Sequence, residues 1–207
     1  MTAPRQQNPL WPDLALVVFL IGFDVAARLL MHVPNVSPVA VSALFAGIML
    51  RRRSLALAVP LAAMAISDLF AGFYDLRVMI VVYAAMALPA VAGILASRYR
   101  PSRVVVPTVV TCSLIFFATT NLAVWAFSGM YSLDLAGLTQ CYVAGLPFLK
   151  YTVAGDLFWA VVLFGGAWLV QRLTARATTL IPQRLDLTFK VWPGAAGPTD
   201  GVARGAP

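Results

Sequence analysis

Runs of about 20 apolar residues recur along the chain, each long enough to cross a ~30 Å hydrocarbon core as a helix. Inside a bilayer every backbone N–H and C=O must be bonded within the protein, so such runs are helical. Six spans can be marked, at 13–31, 36–50, 54–73, 77–97, 104–127 and 151–171, the second of them short. Of 207 residues, 61% are hydrophobic and only 11% charged, where a soluble domain carries ~25% charged residues. Mean hydropathy is +0.85. The expected fold class is an all-α integral membrane protein, a compact bundle of six transmembrane helices over 1–182. A low-complexity cytoplasmic tail at 183–207 is expected to be disordered.

The first run, "WPDLALVVFLIGFDVAARLL", carries Asp24 and Arg28 and lacks a small-x-small cleavage site, so it reads as a retained helix. The segment 128–150, "SGMYSLDLAGLTQCYVAGLPFLK", is half apolar and reads as a lid or an interfacial helix, with a short seventh hydrophobic segment as the alternative. Arginine sets the orientation. Arg51, Arg52, Arg53, Arg98, Arg100 and Arg103 fall in the loops on one side, and Arg172, Arg176 and Arg184 flank the last span on that side. The opposite side holds Arg28, Arg77 and Lys150. The positive-inside rule then puts both termini in the cytoplasm.

Composition also narrows the function. The net charge of +7 is spread over short loops between spans, which argues against nucleic acid. No nucleotide-binding loop, soluble domain or internal repeat is visible. All eight acidic residues are Asp, so glutamate-dependent membrane proteases are excluded, and a single histidine, His32, excludes bis-histidine haem. Ser128 with His32 makes a poor protease pair. Cys112 and Cys141 have no motif spacing, and Cys112 reads as a small core residue too deep in the fifth span to meet a ligand. The chain is expected to be no enzyme and to hold no cofactor of its own.

What remains is a set of polar residues at one depth. Asp68, in "AAMAISDLFAGFYDL", sits about one turn from the outer end of the third span. A charge in hydrocarbon costs at least ~2.5–3.5 kcal/mol, so such a residue is a functional candidate. Asp24, Arg28 and His32 follow at i, i+4 and i+8, on one helix face, with Asp24 and Arg28 close enough to pair. Asn121 and Trp125 form another i, i+4 pair. Asp156 falls near the expected start of the sixth span, where an N-cap is wanted. Tyr83 and Tyr131 add aromatic faces at the same level. Each has a structural alternative: an internal ion pair, a cap, a solvated loop residue or the aromatic belt. Their shared level suggests a pocket open to the outside, since a conduction path would need charges at several depths. Small-xxx-small spacings at Gly22/Ala26, Ala43/Gly47, Ala58/Ala62 and Ala92/Ala96 allow close helix approach.

The stretches "NVSPVAVSALFAG", "PLAAMAISDLFAGFYD", "TTNLAVWAFSGMYSLDLAGLTQCYVAGLPF" and "AGDLFWAVVLFG" together resemble a bacterial family of transport proteins. That family is similar to the substrate-binding S-components of energy-coupling-factor (ECF) vitamin transporters, most of all the solitary cobalamin-specific type. The resemblance implies six helices, a vitamin pocket on the outer side and residence in the bacterial inner membrane. It implies membrane lipid, a vitamin-like small molecule and an ECF coupling module (transmembrane subunit plus ATPases) as partners. His32, Asp68 and Tyr83 map onto that pocket. Some members of the cobalamin type carry a cobalt-ligating cysteine after the third span. Here "FYDLRVMIVVY" has none, which leaves His32 as the metal ligand if the cargo is a corrinoid. A ligand-free accessory subunit and an ion-coupled small-molecule carrier remain the alternatives.

Overall fold

The computed structural model describes residues 10–31 and 35–180, with side chains as far as Ala175. His32 and the tail at 183–207 lie outside the described residues. All regular structure described is helical: α1 (Trp11–Leu30), α2 (Val39–Met49), a 3-10 turn (Arg53–Ala56), α3 (Ala58–Ala71), α4 (Leu76–Ala96), α5 (Pro101–Phe127) and α6 (Leu135–Ala160). A π-helical turn at Val161–Gly165 joins α6 to α7 (Gly166–Leu180), so these three form one continuous rod. Four segments are long and apolar enough to cross a membrane: Arg53–Ala71, Leu76–Ala96, Pro101–Phe127 and Leu135–Ala175. α1 is of spanning length, 20 residues, but carries Asp13, Asp24 and Arg28.

The shortest helix is the centre of the fold. Nine of the eleven residues of α2 are buried. It touches α1, α3, α4, α5, α6, the 3-10 turn and the π turn. A helix apolar all round needs such a setting. The outer helices bury one stripe each. On α1 that stripe is Val17, Leu20, Asp24 and Ala27, while Val18 and Phe19 on its other faces are exposed. Leu69, Phe70, Ile80 and Leu95 are exposed in the same way on α3 and α4. An apolar periphery of this extent suits lipid and not water.

α2 and α4 meet backbone to backbone. A Cβ on Gly47 would strike the Ala90 carbonyl oxygen and come within 2.8 Å of Ile94 N, and one on Gly93 would strike the Leu44 carbonyl oxygen. The Ala43/Gly47 spacing read from the sequence lies in this contact. Gly22, in contrast, faces open space.

One expectation is corrected. The segment 128–150 is neither lid nor interfacial helix. α6 begins at Leu135 and pairs with α5 as a hairpin whose turn is short. Asp134 caps it, accepting a 2.6 Å hydrogen bond from Gly137 N–H. That bond, with another from the Ser132 hydroxyl, holds the Asp134 carboxyl below the usual carboxylate range. Trp125 Nε1 donates to the Ser132 carbonyl and closes the turn. Tyr142 donates to the Ala118 carbonyl, and its ring meets Phe117 edge-on. The helix that carries the last span therefore starts 16 residues before the expected position, at 135 instead of 151.

The two ends of the bundle can be told apart. The backbone N–H of Arg52 donates to Asp13 at the start of α1, so the 50–57 connection shares an end with that start. Arg28, near the close of α1, meets Asp68, near the close of α3, at the other end.

Candidate functional site

At the end where α1 and α3 finish, three helices are tied by one polar network. Arg28 Nη2 donates to Asp68 Oδ1 at 2.7 Å. Tyr83 on α4 donates to Asp68 Oδ2 at 3.0 Å. Arg28 Nη1 lies 3.0 Å from the sulfur of Met64, one turn before Asp68. Both oxygens of a carboxylate that is only 2% exposed are thus bonded. This satisfies the condition under which a buried charge is tolerated. Two further carboxylates are closed in by single hydroxyls. Asp24 Oδ1 accepts from Ser42 at 2.7 Å, and Asp156 Oδ2 accepts from Ser113 at 2.6 Å.

Beside the Arg28 network lies a cavity of about 440 Å³ with walls from α1 to α6 and from the 35–37 connection. Its lining is mainly apolar or sulfur-bearing: Met31, Met64, Val82, Met86, Cys112 and Phe116. The polar groups set among these include Arg28, Tyr74, Ser113, Thr152 and Asp156. Gly155 makes this possible locally, because a Cβ there would come within 3.1 Å of Val36. With no side chain at 155, α6 closes on the 35–37 connection and brings Asp156 beneath it. Apolar walls with a few convergent polar groups, in a volume between ~300 and 1,000 Å³, describe a small-molecule site. Among the described residues, no group of three or more His, Cys, Asp or Glu side chains could hold a metal ion.

Residues 8–180 match a family described as a family of unknown function, DUF6580. The chain belongs to this family. No curated protein and no solved structure matches it. The matched range takes in every described helix of this DUF6580 member, and with them the Arg28 network and the cavity.

The structure brings some of the anticipated residues together and holds others apart. Arg28 and Asp156 line the cavity, and Asp68 and Tyr83 stand behind Arg28 and fix it. Asp24 does not pair with Arg28. It is fully buried and turned toward α2, where Ser42 takes it, while Arg28 reaches across to α3. Asp156 is no N-cap. It sits deep within α6, 5% exposed. Asn121 donates back to the Phe117 carbonyl of its own helix and packs on Gly145, away from the cavity. Trp125 is occupied in the hairpin turn, and Tyr131 lies in that turn as well. Cys112, expected to be out of reach, lines the cavity together with Ser113 and Thr152. The polar run Thr111–Cys112–Ser113 between apolar residues of α5 is the signal that could have found Cys112 and Ser113. Which helix faces α6 presents to it could not be read without the true start of that helix.

Proposed function

We propose that this protein is a substrate-binding component of the bacterial inner membrane, similar to an ECF S-component, that captures a vitamin-sized organic molecule from the outer side. The observation that carries this reading is the 440 Å³ cavity, bounded by α1–α6 at one end of the bundle. It adjoins the 35–37 connection and Tyr74 in the α3–α4 connection. Arg51–Arg53 and Arg98–Arg103 belong to the opposite connections, and the positive-inside rule makes theirs the cytoplasmic end. With both termini also inside, six spans result and the cavity looks outward. A volume in the lower half of the ~300–1,000 Å³ range favours a ligand smaller than a corrinoid. Energy for release inward would come from a coupling module, since the chain has no nucleotide-binding loop.

The test is a thermal-stability screen of the purified chain against a panel of vitamins. A ligand held a thousandfold above its dissociation constant stabilises by ~4 kcal/mol. One compound of the panel is expected to raise the unfolding temperature in a saturable way. A panel without any such compound would favour a ligand-free accessory subunit instead.

A further inference from the structure

Resting on the reading of the cavity as a ligand site, we infer that its ligand carries a positive charge, and that Asp156 is the residue that receives it. Among the described residues three carboxylates are buried within helices, and their surroundings differ. Asp68 is matched by Arg28 and by the Tyr83 hydroxyl. Asp24 is sealed: its Oδ2 has neither solvent contact nor a hydrogen-bond partner. Asp156 lines the cavity and accepts one hydrogen bond, from Ser113 to Oδ2.

The sealed, unbonded side-chain atoms among the described residues are Asp24 Oδ2, Arg28 Nε and Trp159 Nε1. Asp156 Oδ1 is not one of them and accepts no bond, so it opens on the cavity. No cationic side chain among the described residues pairs with Asp156, and Arg28, on the same cavity, is already engaged by Asp68. A carboxylate that is 5% exposed and has one neutral partner lacks the counter-charge that a buried ion needs.

An incoming ammonium or other organic cation supplies that counter-charge. An anionic ligand would meet Asp156 as a like charge, and Arg28, the cation on the wall among the described residues, is already neutralised. The remaining surface suits a cation as well. Aromatic rings attract positive charge through their faces, and Phe116 and Tyr74 line the same space. The thioethers of Met31, Met64 and Met86 are polarisable and adaptable. The proposed ligand class is therefore an organic cation of one or two rings, its charged nitrogen at Asp156.

Three probes of one shape separate charge from size: benzylammonium, benzyl alcohol and benzoate, each titrated into the purified full chain with unfolding temperature as readout. Benzylammonium is expected to stabilise most and benzoate least, a comparison that needs no variant. Asp156→Asn should weaken benzylammonium on the order of 30-fold or more, the scale for losing one half of a desolvated charge pair. It should leave benzyl alcohol unchanged. Asp24→Asn, which removes the sealed carboxylate, should leave the order of the three probes unchanged. Equal or greater stabilisation by benzyl alcohol or benzoate would overturn the charge assignment and leave the cavity as a ligand site. Stabilisation by none of the three overturns it too, and the capture reading then stands or falls on the vitamin screen.

Discussion

Removing either half of the Arg28–Asp68 pair leaves the other without its counter-charge, Asp68 at 2% exposure and Arg28 at 23%. Asp68→Ala is therefore expected to destabilise the folded chain, by less than the ~3–5 kcal/mol of a fully buried pair broken from one side, because Arg28 is partly exposed. Arg28→Met combined with Asp68→Leu should cost far less than the two single changes added together. Unfolding of the four proteins in detergent measures this as a double-mutant cycle, and additive losses would mean that the pair is not coupled. The sequence makes Asp68 conspicuous but points Arg28 at the wrong partner. Spacing of i, i+4 permits an Asp24–Arg28 pair, yet Asp24 faces α2, where the Ser42 hydroxyl is 2.7 Å away. Arg28, near the end of its helix, can reach across to α3. Which partner wins depends on how α1 is rotated against α2 and α3, and no spacing within one helix encodes that.

At the scale of elements, the α2–α4 contact is the tightest join, and it tolerates no side chain at two positions. Gly93→Ala should lower the unfolding temperature and reduce yield, because its Cβ would press on the Leu44 carbonyl of the facing backbone. Gly22→Ala, with nothing within 4 Å of the added carbon, should be neutral or stabilising by up to ~1 kcal/mol from helix propensity. Equal effects of the two would mean that α2 and α4 do not approach as described. Five expected spans fall on helices within a few residues, because long apolar runs leave the backbone no other choice. The start of α6 was not legible for a physical reason. Residues 135–150 include Gly137, Gly145 and Pro147 with polar Thr139 and Gln140, a composition that reads as loop. The helix is held there by packing: Gly145 admits Asn121 and Phe117, and Tyr142 bonds the α5 backbone. Tertiary contacts of this kind override local propensity.

Across the whole molecule, the cavity follows from the arrangement of the helices and not from any one of them. The apolar segment Leu135–Ala175, at 41 residues, is ~60 Å long, about twice the hydrocarbon core, so it must tilt or project from the bilayer. α2, at 11 residues, is too short to cross as a helix alone, so that crossing needs its flanking residues, and it fills the middle of the bundle. Between its beginning, the ends of α1 and α3, and the descending α4 and α6, space is left that the side chains do not fill. Cys112 lines that space, while Cys141, the other described cysteine, is bonded to the Asn121 carbonyl between α5 and α6. Cys112 is thus a natural reporter. In a Cys141→Ser chain, a small membrane-impermeant thiol reagent should modify Cys112 when added to the outer face of the membrane, and leave it untouched when added to the cytoplasmic face of inverted vesicles. Modification from the cytoplasmic face alone would contradict a binding cavity open to the outside.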